Sequence, residues 1–280
     1  MRRFTALIMD LRASRKYSLK NRNEIQTYIY KVIETLNEAF AKALEKNVSF
    51  SAGDELQGLF SSTGAAYLYF RLFSMLIAPV KIRAGLGVGE WDVVIRDAGT
   101  TAQDGSAYHK ARAAIKATKD SLGYSVLLES GAENDEIANS LLYATKLLIN
   151  KQSNYQNHIM LLSELLYPIT IDNALDINKM GEIAELINLR SVSDVLNHNS
   201  NKSPKKIFLN GEMIKVRPTS VSIYNDTFIT DGKVRGLPLH LSEIMGISRQ
   251  SLDKTIAAAN IYEARNLAIA TLKYIKRMED

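Results

Sequence analysis

The chain contains no cysteine. That absence excludes disulfides, thiolate metal centres and cysteine nucleophiles, and it suits a reducing compartment. Long apolar runs are missing as well, and no window approaches the roughly 18 apolar residues of a membrane span. The opening Met1-Arg2-Arg3-Phe4-Thr5-Ala6-Leu7-Ile8-Met9 carries the charge of a signal peptide, but its apolar stretch stops at Asp10, too short for a secretory core. A cytoplasmic location is therefore expected. A strong charge imbalance is also lacking: 35 Lys+Arg stand against 30 Asp+Glu, a net +5 that favours anionic partners without demanding them. What the chain does have is 280 residues with 46% hydrophobic and 23% charged content, enough for a real core in one large or two modest domains.

Residues 4–9 are apolar and rich in β-formers, which predicts a buried strand ending at Asp10. After the basic stretch Leu11-Arg12-Ala13-Ser14-Arg15-Lys16, the residues Ile25, Ile29, Val32 or Ile33, Leu36, Phe40 and Leu44 recur at helical spacing, predicting a helix over about 22–46. Two short apolar segments, 48–51 and 55–60, meet at Ala52-Gly53-Asp54, and Gly beside Asp is turn chemistry. A hairpin with Asp54 near its tip follows. Residues 63–77 read as a second helix. The segment 81–90 reads as a strand whose alternating glycines leave one face bare, so a ligand, a helix or a second subunit can come close there. Asp104-Gly105-Ser106 opens a third helix to about 120, and 124–128 is a further strand. Strand, helix, hairpin, helix, strand, helix, strand is the split βαβ order of a palm-like or ferredoxin-like domain. The fold class expected is thus α/β (α+β): a βαββαβ palm over 1–130, a helical connector with a small β-containing insertion over 131–235, and a helix-turn-helix over 236–280.

Two acids at the edges of short apolar strands, Asp10 and Asp54, suit a Mg²⁺ or Mn²⁺ site, because such ions take oxygen ligands and keep positions for water and phosphate. A solvated turn is the plainer reading of Gly-Asp-Glu at a hairpin tip. Asp10 resists that reading, since a carboxylate directly after an apolar run risks costly burial. Glu55, next on the strand, should point away from Asp54.

The set LIMDL, SFSAGDELQGLF, KIRAGLGVGEW and DGSAYHKARAA, in order and spacing, resembles the palm shared by class III nucleotidyl cyclases and GGDEF diguanylate cyclases. Together with the C-terminal motif it looks like the SatD family of bacterial proteins. The resemblance covers roughly 3–128 and 235–275. It implies metal roles for Asp10 and Asp54, which would hold two ions about 4 Å apart over a triphosphate. Backbone amides of Leu11, Arg12, Ala13 and Ser14 would cradle phosphate oxygens, with Arg12, Arg15 and Lys16 as cationic partners and Gly53 and Glu55 beside the nucleotide. One departure matters. The cyclases carry an Asn and, four residues later, an Arg on the helix after the glycine strand; here His109 and Ala113 occupy those places, with Arg112 one residue early. One residue turns a helix by about 100°. Cyclase turnover is thereby in doubt, nucleotide binding survives, and His109, as a proton shuttle, and Arg112 are the remaining catalytic candidates.

Farther on, 133–167 is helix-prone, with a stripe of Ile137, Leu141, Leu142, Ala144, Leu147 and Leu148 and a break from Asn150 to Asn154. Residues 168–195 show short helical patterns, 196–208 a polar basic loop, and 207–229 short strands with an Asn210-Gly211 turn. At 239–259 a short helix, Gly246, a Ser248 cap and a second helix follow helix-turn-helix grammar. Arg249, Gln250, Ser251 and Lys254 open that second helix and are the side chains placed to reach DNA. A final amphipathic helix from 263 to 276 can pack beneath this unit or against a twin. The expected partners are therefore a nucleoside triphosphate, DNA and a second copy of the chain. The alternative is a DNA-binding regulator whose palm is a catalytically silent dimerisation scaffold.

Overall fold

A computed structural model describes residues 2–12, 18–121, 123–193, 195–196, 214–224 and 232–279. Its first strand, β1 (Phe4–Leu11), is apolar on both faces: Leu7, Met9 and Leu11 look into the main core, Ala6 and Ile8 into a second cluster. Such a strand belongs inside a sheet covered on both sides. It is the middle strand of five, in the order β2-β3-β1-β4-β5. Its neighbours β3 (Glu55–Phe60) and β4 (Ile82–Gly89) run antiparallel to it, while β5 (Val126–Glu129) runs parallel to β4. This is the split βαβ arrangement expected, with β2 (Leu44–Ala52) and β5 on the edges.

Helix α1 (Leu19–Ala39) starts where Ser18 accepts the Asn21 amide proton, and it buries Ile25, Ile29, Val32, Ile33 and Leu36. The predicted helix starts three residues late and overruns the observed end by seven. Leu44, which fits the helical stripe, instead pairs with Phe60 as the first residue of β2, so strand pairing overrides a good helical pattern. Helix α2 (Thr63–Leu76) is buried over its whole length and lies with α1 on one face of the sheet. Helix α3 (Ser106–Asp120) lies on the other. It sits on the bare glycines of β4. A Cβ added to Gly87 would stand 2.1 Å from Ala111 N and 2.2 Å from Ala107 O, and one at Gly85 2.1 Å from Ala111 O. The glycine face is the seat of a helix, and no room remains there for a ligand.

The rest of the chain builds onto the α1/α2 side. Helices α4 (Asp135–Asn150) and α5 (Asn154–Leu166) are separated at the predicted break, where Ser153 and Gln156 form a capping box. The buried stripe of α4 differs from the predicted one: Ala138, Leu142, Thr145 and Ile149 face inward, while Ile137 and Leu147 are exposed. Then come β6 (Ile169–Ile171), α6 (Met180–Val192), β7 (Thr219–Val221) parallel to β6, α7 (Leu237–Met245), α8 (Arg249–Ala258) and α9 (Ile261–Glu279). The predicted Asn210-Gly211 turn lies outside the described residues. Helix α9 packs beneath α8 and along α4 and α2. One continuous apolar core runs from Leu7 to Ile275 and takes side chains from all three stretches of the chain. A buried ion cluster ties α2, α5 and α9: Glu164 accepts from Arg71 at 2.9 Å and from Arg265 at 2.7 Å. No helix among the described residues is long and apolar enough to cross a membrane.

Candidate functional site

The site is set by the register at the end of β1. Asp10 pairs with Glu55 of β3 on one side and with Arg83 of β4 on the other. Residues directly opposite in antiparallel strands share a face, and Ala6 and Ile8 show that for Asp10 this is the α3 face. The hairpin then brings Asp54 to the same corner. Gly53 turns the chain at φ +64°, and the Leu11 amide donates to Asp54 O at 3.3 Å, tying the hairpin tip to the end of β1. The two acids expected to converge do so electrostatically. Burial first, and then the charge of Asp54, push the Asp10 carboxyl above its usual range; Lys119 and Arg83 pull it back, and Glu55 adds a smaller push upward.

Glu55 corrects an expectation. It was expected to face away from the site because it alternates with Asp54 in sequence. Asp54, however, belongs to the turn, and Glu55 stands beside Asp10 as its cross-strand neighbour. Ser51 Oγ donates to Glu55 Oε1 at 3.0 Å, and Arg112 Nη2 lies 3.5 Å from the same oxygen and donates to Gln57 Oε1 at 3.4 Å. Arg112 is thus directed onto β3 beside the acids. His109 is not brought to the corner. It sits near the start of α3, over the Gly87–Gly89 end of β4, with Nε2 3.3 Å from Asp104 Oδ1 and its side chain 73% exposed. Asp10 lies at the opposite end of that strand pair.

The phosphate cradle is described only in part. Leu11 is buried and its amide is bonded to Asp54 O; the Arg12 amide donates to Lys81 O at 2.8 Å. Ala13, Ser14, Arg15 and Lys16 lie outside the described residues. Exposed Lys119 and half-buried Arg83 are the cations that act on Asp10, and Arg12 and Lys81 are exposed where their backbones meet beside the end of β1. Sequence reasoning missed Arg83 and Lys119. Arg83 was findable, because on the strand 81–90 it and Lys81 are the two side chains in phase with Gly85, Gly87 and Gly89. Lys119 needed the length and direction of α3.

Among the described residues, no group of three or more His, Cys, Asp or Glu side chains stands close enough to hold a metal ion. Mg²⁺ does not need one, since it dehydrates reluctantly and is commonly held by one or two carboxylates together with water and phosphate. The hard oxygens of Asp10 and Asp54, with a carboxyl already strained by like charge, fit that demand. A separate cleft lies elsewhere. About 320 Å³ open at the other end of β1 between Arg3, Thr5, Ser62, Thr63 and Lys276, where Glu279 accepts the Thr63 amide proton at 2.6 Å. Its concavity counts for less than the charge pattern at Asp10, because Glu279 already occupies the α2 N-terminus there.

At the C-terminal end, α7 stops at Gly246 with φ +60°, and Ser248 accepts the Ser251 amide proton to open α8. Leu252 and Ile256 bury one side of α8. Arg249, Gln250, Ser251 and Lys254 are all exposed, Arg249 within 3.7 Å of Asp253.

No curated protein matches the chain. Among solved structures it is similar to a bacterial light-regulated adenylyl cyclase at 15% identity and a TM-score of 0.35, over 45% of this chain and 74% of that one. The sequence profile of the SatD family matches residues 4–214, from the start of β1 through the palm and into the segment after it, well over half of the chain. The chain belongs to the SatD family.

Proposed function

We propose that this SatD-family chain binds a nucleoside triphosphate together with Mg²⁺ at the Asp10–Asp54 corner. The observation that carries the reading is Asp10 held in register between Glu55 and Arg83, its carboxyl pushed up by burial and by Asp54. Crowded carboxylates at the end of a central strand gain from a divalent cation, which neutralises both the acids and the phosphates it bridges. Arg83 and Lys119, whose charges reach Asp10, supply the second half of the recognition, since cationic side chains form charge-assisted hydrogen bonds to phosphate oxygens. The reading is binding ahead of turnover. Ala113 stands where the cyclase family keeps its transition-state Arg, and Arg112 is engaged on β3 by Gln57. Isothermal titration of ATP and GTP with Mg²⁺ tests it: wild type binds, and Asp10→Ala and Asp54→Ala lose most of the affinity. Equal binding in all three, or none in any, overturns it.

A second reading rests on a separate observation, the exposed Arg249, Gln250, Ser251 and Lys254 at the start of α8. In it the chain is a DNA-binding regulator, and the palm is a silent scaffold. Duplex binding then persists in Asp54→Ala, weakens in Arg249→Ala and falls steeply with salt. Absence of any duplex shift at low salt removes this reading.

A further inference from the structure

Helix α2 is buried along its whole length, yet its first turn holds no acidic residue to meet the partial positive charge of its N-terminus. The acid comes from the far end of the chain: Glu279, the last residue of α9, accepts the Thr63 amide proton at 2.6 Å from 216 residues away. Glu279 gains nothing from its own helix, because a carboxylate at a helix C-terminus opposes the dipole. The seat is thus held by an exposed side chain on a final turn, an occupant that can leave without disturbing the core.

A second donor stands at the same place. Thr5 Oγ1, from the α2 face of β1, and Thr63 Oγ1 are 2.8 Å apart, and both residues are 1% exposed. One hydroxyl donates to the other, and neither makes a further hydrogen bond among the described residues, so one buried O–H proton is left without an acceptor. Both threonines line the cleft of about 320 Å³ into which Glu279 reaches. An N–H and an O–H side by side match the two oxygens of one carboxylate. Two cations, Arg3 and Lys276, stand on the wall, the latter paired with Asp172. The floor is apolar, from Val88, Leu128, Ile275 and Met278, and the volume lies in the range of small-molecule sites.

We propose that this cleft binds a short-chain aliphatic carboxylate, whose carboxylate displaces Glu279 and takes the Thr63 N–H and the spare threonine O–H while its tail lies on the apolar floor. Glu279 is then a built-in competitor that sets the concentration at which the ligand enters. A phosphate fits less well, since one amide and one hydroxyl leave its remaining oxygens unmet. The site is independent of the acid corner: Thr5 and Asp10 lie at opposite ends and on opposite faces of β1.

The test titrates butyrate into the full chain at fixed ionic strength and follows binding by saturation-transfer NMR of the butyrate methyl signal. Wild type should bind it weakly and Glu279→Ala about tenfold more tightly, the gain expected when the internal carboxylate holds the seat roughly nine-tenths of the time. In the Glu279→Ala background, Thr63→Pro removes the amide donor at the first helical position, which tolerates proline and follows an already extended Ser62, and it should abolish binding. Thr5→Val, in the same background, should weaken binding by about threefold to tenfold through the lost hydroxyl. Should the proline variant fail to fold, the valine variant decides. No transfer to butyrate in Glu279→Ala, equal affinity with and without Glu279, undiminished binding in the folded threonine variants, or displacement of butyrate by an equal concentration of inorganic phosphate overturns the proposal.

Discussion

Two charged clusters in this molecule sit in opposite surroundings. At the end of β1, Asp10 lies near solvent within the field of Asp54 and Glu55, and its carboxyl is pushed up. In the core between α2, α5 and α9, two guanidiniums share one carboxylate, and Glu164 is held down. Solvent and the nearby Arg83, Lys119 and Arg112 temper the first cluster, because half-exposed acids are screened by water and mobile cations. Nothing screens the second, so each of its hydrogen bonds is part of the fold. The difference separates binding from stability: changes at the acid corner should alter what the chain binds and barely touch whether it folds, whereas changes in the core cluster should do the reverse.

The largest effect expected is from Glu164→Gln, which leaves Arg71 and Arg265 without their counter-charge. Denaturant unfolding should show a loss of about 3–5 kcal/mol at neutral pH. Because the folded-state pKa is lowered, that stabilisation is present above the ordinary carboxylate range and is lost as pH falls through the folded value. The gap between wild type and variant should therefore close below about pH 4. Next comes Gly87→Ala, whose Cβ meets two backbone atoms of α3 within 2.2 Å; a loss of about 1–3 kcal/mol by the same measurement would match a helix lifted off its seat. Asp10→Asn should act the other way. A raised pKa means that the native protein holds its proton more tightly than the unfolded chain, so ionised Asp10 costs stability as pH rises above the unfolded value. Removing the charge should lift Tm at pH 7 by about 1–3 °C after solvent screening, and the gain should vanish in acid. The smallest change is from Arg249→Ala, with stability held within about 0.5 kcal/mol and the duplex shift alone reduced. If Asp10→Asn unfolded the chain, or Glu164→Gln left it untouched, the division between the clusters would fail.

Much of the palm was legible in the chain itself. The apolar run before Asp10, the Gly53-Asp54 turn and the alternating glycines of 81–90 each obey local rules, and together they fixed strand order and the approach of Asp54 to Asp10. What stayed hidden depends on register and distance. Glu55 reads as outward until Asp10↔Glu55 pairing is known. Leu44 fits a helix until Phe60 claims it. Thr145 looks like a surface residue of α4, yet it lies beside Tyr67 in the core, and the ion cluster joins residues 71, 164 and 265, whose separation no local pattern can bridge. The site acids were readable because each closes a strand or a turn; Lys119 was not, because it enters from the far end of a helix.

The account turns most directly on what occupies the corner between Asp10 and Asp54. Crystals soaked with Mn²⁺ and a non-hydrolysable nucleoside triphosphate should give an anomalous peak against the Asp10 and Asp54 carboxylates, with phosphate density toward Arg83 and Lys119. An empty corner under saturating ligand, or a triphosphate seated instead in the cleft beside Thr63, would contradict it.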